Sequence, residues 1–281
     1  MKIHAISTGT VTIKSRQPVG KGHGSTRLMN VLLDPNWTAA LPIYAWVIEH
    51  DEGLIVVDSG ETARSSQPGY FPPWHPYYRL AVRTNVQPEQ EIGPQMKRLG
   101  LSPDDVRWVV MTHLHTDHAG GLHHFPKAEI LVSRAEYEAT AGFKGAVSGY
   151  LRNRWPDWFA PRLVDFGTPQ LGEFPAVSLT KAGDVNLIST PGHSAGHVSV
   201  MVQEDDLSIL LAGDTSYTEE TMLSQMVDGV SPDEKAARTT LARILRYSQH
   251  TPTVYLPSHD PQAAARLLSR QIVLLEAQLT A

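Results

Sequence analysis

The sequence predicts an α/β chain of the α+β kind, with two sheets or one mixed sheet covered by helices. Three observations lead there. β-rich runs arrive in groups, with helical segments between the groups, which argues against a regular βαβ ladder. The helical segments carry start and stop signals that separate them from the strands. The 281 residues are 41% hydrophobic, enough to bury a large core. At roughly 150 residues per domain this length admits one large domain or two small ones, and no linker or low-complexity stretch divides it.

The elements follow in order. Residues 3–13 alternate loosely and read as an opening strand. Segments 41–50 and 53–58 are β-rich and flank Asp51-Glu52-Gly53, a hairpin turn. Segment 61–86 sets Tyr70, Phe71, Trp74, Tyr77 and Tyr78 among Pro68, Pro72, Pro73 and Pro76. Those prolines remove donors and clash with a preceding turn, so the segment reads as a long aromatic loop or lid. Residues 88–99 read as a helix that Gly100 stops. A short buried strand follows at 107–111, then a His-rich turn. Segment 128–133 is a strand, 134–141 a short helix, and 142–175 reads as irregular. Strands are expected at 177–180, 185–190, 198–203 and 207–212. Ser231-Pro232-Asp233-Glu234 predicts a helix start with Ser231 as its cap, and Ala237, Leu241, Ile244 and Leu245 form its apolar face. A last strand lies at 253–256, and Asp260-Pro261 opens a C-terminal helix. The runs 54–60 and 207–215 both pass from apolar strand to Asp (Asp58, Asp214), a weak internal echo compatible with two related sheets.

Composition excludes several classes. With 24 Lys+Arg against 29 Asp+Glu, the charge of -5 argues against non-specific nucleic-acid binding. The absence of cysteine removes disulfides, thiolate zinc fingers and a Cys nucleophile. The N-terminal stretch lacks the apolar centre of a signal peptide, and no run approaches about 18 uninterrupted apolar residues. The expectation is a soluble cytoplasmic protein without a membrane partner. Of the 13 histidines, seven fall between residues 113 and 197.

Those histidines carry the chemistry. In Thr112-His113-Leu114-His115-Thr116-Asp117-His118, four metal donors fall within six residues, directly after a buried strand. In extended backbone His113 and His115 share a side, while Asp117 and His118 fall where the chain turns, so two neighbouring metals can each take a pair. Imidazole and carboxylate suit Zn²⁺, and also Fe, Co or Mn. A surface loop that merely happens to be His-rich would not be matched by further donors at strand ends. Three more such ends offer them: Thr190-Pro191-Gly192-His193, Gly213-Asp214 and Ser258-His259.

With these pieces the chain resembles the metallo-β-lactamase-fold hydrolases over nearly its whole length, from Asp58-Ser59-Gly60 to His259. The resemblance implies a single domain over 1–281, an αββα sandwich of two mixed sheets flanked by helices. It implies one metal held by His113, His115 and His193, a second by Asp117, His118 and His259, and Asp214 bridging both. True β-lactamases of this fold place Cys where Asp214 stands, and the flavodiiron branch places Glu where His115 stands. This chain is therefore similar to the hydrolytic glyoxalase II and lactonase branches. Tyr217, three residues after Asp214, matches a tyrosine of the N-acyl-homoserine lactonases, and Leu41-Pro42-Ile43-Tyr44 resembles a strand of theirs. The implied activity is opening of acyl-homoserine lactones, which is quorum quenching, by a hydroxide bridging two metals. Asp117 would carry the proton to the leaving oxygen, and Tyr217 would help polarise the carbonyl. Phe71, Trp74, Tyr77 and Tyr78 would wall the acyl-tail pocket.

Other residues have smaller roles. Asp58 is expected to orient a ligand histidine, and His197 to be structural. His123 and His124 are expected at the surface or behind the site, on a helix. His4, His23, His50, His75 and His250 have no assigned partner. The alternatives are a thioester, phosphotriester or other ester hydrolase, or a non-enzymatic metal-binding scaffold. A glyoxalase II-like protein would want a basic C-terminal surface, and Arg266 and Arg270 followed by an apolar run give it thin support. A homodimer is left open.

Overall fold

A computed structural model describes residues 1–274. Seven strands form the first sheet: β1 (Lys2–Ile13), β2 (Leu41–Glu49), β3 (Leu54–Val57), β4 (Val82–Asn85), β5 (Val106–Val110), β6 (Glu129–Ser133) and β7 (Arg162–Val164). Their order is β4-β1-β2-β3-β5-β6-β7. Six strands form the second: β8 (Pro169–Leu171), β9 (Phe174–Ser178), β10 (Val185–Ser189), β11 (Val198–Glu204), β12 (Leu207–Gly213) and β13 (Thr253–Pro257), ordered β13-β12-β11-β10-β9-β8. The helices are α1 (Ser25–Leu32), α2 (Pro76–Leu80), α3 (Ile92–Arg98), α4 (Thr116–Ala119), α5 (Arg134–Ala139), α6 (Gly142–Val147), α7 (Glu219–Leu223), α8 (Glu234–His250) and α9 (Ala263–Ser269).

The period of two along each strand builds the layers. In β3, Ile55 and Val57 face the second sheet while Val56 faces helices on the outer side. In β12, Ile209 and Leu211 face the first sheet while Leu210 and Ala212 meet α7 and α8 through Met222, Leu241 and Ile244. The result is the expected αββα sandwich of two mixed sheets. The internal echo is structural too. β3 pairs antiparallel with β2 and parallel with β5. β12 pairs in the same way with β11 and β13. Asp58 and Asp214 therefore leave equivalent strands, and His113 and His259 lie just beyond the parallel neighbours. At that end the sheets are stitched together: Val198 N–H donates to Thr112 O (2.8 Å) and Tyr44 N–H to Ser258 O (2.9 Å).

Several expectations are corrected. α8 begins at Glu234 with Asp233 as its cap, accepting from Ala236 N–H. Ser231 is drawn away to Asp228, to which its Oγ donates at 2.5 Å. Segment 142–175 is not irregular, since it carries α6, β7, β8 and the start of β9. Three-residue edge strands are too short for alternation to register. Segment 61–86 is mostly loop, but Pro76 sits at the first position of α2, where its missing N–H is no loss, and β4 closes one sheet edge. The helix expected at 88–99 divides at Glu91 into a 3₁₀ turn and α3. α1 was not foreseen, because it buries only Arg27 and Val31. Asp260-Pro261 forms a turn ahead of α9. Of the apolar C-terminal run, residues 275–281 lie outside the described residues. Among the described residues no helix is long and apolar enough to cross a membrane.

Candidate metal centre

The seven expected donors converge where the two sheets meet. Asp214 Oδ2 lies 3.5 Å from His193 Nε2 and 3.4 Å from His259 Nε2, and its Oδ1 lies 3.4 Å from His118 Nε2. Asp117 Oδ2 lies 3.4 Å from His259 Nε2. His193 Nε2 and His115 Nδ1 are 3.2 Å apart. His113, His115 and His193 can share one ion, as can Asp117, His118 and His259, while Asp214 groups with His113 and His118.

Backbone conformation aims these groups. Asp58 is held at φ 58°, a left-handed value uncommon for a residue other than glycine, and marks the strained exit from β3. Its carboxylate accepts from Thr112 N–H (2.7 Å) and Thr112 Oγ1 (2.8 Å), which pins the turn after β5, and from His118 Nδ1 (2.7 Å). Gly213 at φ 58° leads into Asp214, and a Cβ there would lie 2.6 Å from His197 Nε2. His197 is not among the converging donors. It accepts the Asp214 N–H at 3.0 Å and so orients that loop.

The hydrogen bonds behind the site settle which ring nitrogens face inward. Each histidine has its other nitrogen against an acceptor: His113 at Thr112 Oγ1 (3.0 Å), His115 at Ser148 O (3.2 Å), His118 at Asp58, His193 at Asp228 (3.4 Å) and His259 at Pro42 O (2.9 Å). Five lone pairs and two carboxylates then point at one volume. His113 Nε2, His118 Nε2 and Asp214 Oδ1 are buried there without any hydrogen-bond partner. Buried acceptors facing one another are unfavourable unless a cation lies between them, so the donor set fits divalent metal ions.

Metal-free, the same crowding shifts the titrations. Burial lowers His113 well below the usual imidazole range, and burial with charge on His193 takes His115 to about 4. Burial opposes charge on His118, yet the carboxylates of Asp214, Asp58 and Asp117 outweigh it and raise its pKa well above the usual range. Burial is likewise outweighed at His259 by Asp214 and Asp117, which bring it to about 10. Burial acts against ionisation of Asp117, but His118 and His259 hold its pKa at about 2. Burial pushes the Tyr217 phenol well above its ordinary value, so it stays a donor.

His115, Asp117, His193, Asp214 and His259 line a cavity of about 1020 Å³. Tyr217 is on its wall, with its ring stacked on His259 at 5.4 Å. Phe71, Tyr77 and Tyr78 also line it. Trp74 does not: it is 53% exposed and stacks on Phe143 at 6.5 Å outside that wall. Sequence reasoning missed four buried polar residues. Gln17 Nε2 donates to Tyr217 Oη (2.7 Å) and Tyr77 Oη (2.8 Å). Asp228 backs His193. Glu136 accepts from Leu114 N–H, Ser194 Oγ and Gly196 N–H, tying the two His-bearing turns together. Glu61 lines the cavity, with its carboxyl raised to about 8 by burial. Asp228 and Glu61 each adjoin a glycine turn, the one local signal that could have flagged them.

A sequence profile of the Metallo-beta-lactamase superfamily matches residues 38–259. The chain belongs to the metallo-β-lactamase superfamily. It is similar to the N-acyl homoserine lactonase AiiA of Bacillus thuringiensis subsp. kurstaki, 28% identical over 246 residues, covering 86% of this chain and 91% of that one. It is also similar to the N-acyl homoserine lactonase AttM of Agrobacterium fabrum, at 27% identity, covering 80% and 84%. Among solved structures, an N-acyl homoserine lactone hydrolase with N-hexanoyl-L-homoserine at its catalytic metal centre superposes with a TM-score of 0.73 at 23% identity, covering 93% of this chain and 94% of that one. Membership agrees with a metal-dependent hydrolase, and the converging His and Asp side chains are groups that could hold its metal ions.

Proposed function

We propose that this superfamily member hydrolyses the lactone ring of N-acyl-homoserine lactones, with two divalent cations, Zn²⁺ foremost, in its centre. His113, His115 and His193 would hold one, Asp117, His118 and His259 the other, and Asp214 both. The observation that carries the choice of lactones is Tyr217, a protonated phenol stacked on His259 at the cavity wall. The names of the 27–28% identical relatives support it.

When bound, a pair of such cations supplies Lewis acidity and an acidified water at neutral pH. The protein supplies the rest. Gln17 Nε2 donates to the Tyr217 oxygen, which leaves the phenol hydrogen free to meet the carbonyl oxygen as it gains charge. Asp117, on the cavity wall and ionised, takes the water's proton and returns it to the leaving ring oxygen. Phe71 and Tyr78, stacked at 4.5 Å, offer an apolar face to the acyl tail. A glutathione thioester finds less support. Arg266 is buried in an ion pair with Asp260, and Arg270 pairs with Glu204, so neither stands free for a peptide carboxylate.

The test is a panel of lactones, thioesters, phosphotriesters and β-lactams on metal-loaded protein. N-acyl-homoserine lactones should show the highest kcat/KM, and chelation should abolish it. A phosphotriester or β-lactam turned over about tenfold faster than every lactone would overturn the assignment.

A further inference from the structure

Glu91, His123 and His124 form a second cluster of donors, set apart from the centre described above. Glu91 Oε2 lies 2.7 Å from His124 Nε2 and 3.1 Å from His123 Nε2. The 3.1 Å edge suits a shell with bonds of about 2.1 Å, where neighbouring donors lie about 2.9–3.4 Å apart, and the 2.7 Å edge would open slightly as a cation replaces the shared proton.

The three side chains are anchored from behind. Glu91 Oε1 accepts from Thr62 Oγ1 (3.0 Å) and Ala63 N–H (2.8 Å), so the carboxylate can only turn Oε2 toward the imidazoles. His123 Nδ1 lies 3.2 Å from Gly120 O, and a carbonyl there requires the N–H on Nδ1. His123 Nε2 is then the nitrogen turned toward Glu91. The His124 ring fits only because residue 93 is glycine, since a Cβ on Gly93 would lie 2.5 Å from His124 Nδ1. As at the main centre, inner donors face one another, and here the outer atoms of Glu91 and His123 are held by a hydroxyl and by backbone groups. A proton between each nitrogen and the carboxylate would relieve the opposition, and so would one cation.

We propose that Glu91, His123 and His124 bind a further divalent transition-metal ion, of the Zn²⁺ class, on an open two-histidine, one-carboxylate face. His123 leaves the outer side to solvent, with its side chain 46% exposed. The ion would clamp the start of α3 and the turn at Thr62–Ala63 to the segment following α4, the helix that contains Asp117 and His118. The inference does not depend on the substrate.

The test starts from protein with its main centre loaded and excess metal removed. Calorimetric titration with Zn²⁺ should read one further equivalent in the wild type, accompanied by a rise in Tm. His123→Ala and Glu91→Gln should each weaken that equivalent at least about tenfold, with the tightly held metal content unchanged. Should Glu91→Gln fail to fold through loss of its hold on Thr62 and Ala63, the half-exposed His123→Ala still decides. No further equivalent in the wild type, or one of unchanged affinity in His123→Ala, overturns the proposal.

Discussion

Tyr217 stands three residues after Asp214, an offset visible in the sequence, whereas the residue that sets its hydrogen bond, Gln17, lies 200 positions away in a turn without periodicity. Only the fold brings them together. The contact sharpens what substitutions should do. Tyr217→Phe should retain fold and metals and lower kcat/KM on lactones by roughly 5- to 150-fold, the worth of one transition-state hydrogen bond. Gln17→Glu should fall to nearly the same level, because a carboxylate would accept both phenol hydrogens and withdraw the one the carbonyl needs. Wild-type rates in Gln17→Glu would show that the phenol hydrogen never served the substrate. The histidines make a second residue-scale prediction. Since His118 and His259 hold protons in the metal-free protein, incoming cations must displace them, so apparent metal affinity rises with pH across the neutral range. Calorimetry in buffers of different ionisation enthalpy should find about two protons released at pH 7. Binding without proton release would contradict the protonated state of His118 and His259 in the metal-free protein.

Among the elements, the aromatic segment shows where pattern reading ends. Its prolines correctly exclude a long helix, yet they cannot say which rings face inward. Phe71 and Tyr78 are turned to the cavity while Trp74 is turned out to Phe143. Phe71→Ala should therefore raise KM more for long acyl chains than for short ones, following apolar burial of about 0.8 kcal/mol per CH₂. Trp74→Ala should leave chain-length preference within about twofold of wild type. KM measured across a series of tails distinguishes the two. α1 escaped notice because its eight residues bury just two side chains, and its Arg27 and Leu28 form part of the cavity wall.

For the whole molecule, the grouping of strands and the Asp-ended echo made both sheets legible, because sheet cores impose alternation on every long strand. The donors at four strand ends were legible for a related reason: strand exits are where a β scaffold aims side chains. What stayed hidden were tertiary supports such as Asp228 and Glu136, whose partners are fixed by packing rather than spacing. Stability should be coupled to the centre as well, since cations that bind only the folded chain stabilise it by mass action. At a free metal concentration of 100 times Kd the gain is about 2.7 kcal/mol, so chelation should lower Tm.

The most direct test of the account is mass analysis of an N-acyl-homoserine lactone incubated with metal-loaded protein in ¹⁸O-labelled water. Ring opening predicts a single product, the N-acyl-homoserine acid, with one labelled oxygen in its new carboxylate and the amide intact. Release of a free fatty acid and homoserine lactone, or no turnover while both metals are bound, would contradict it.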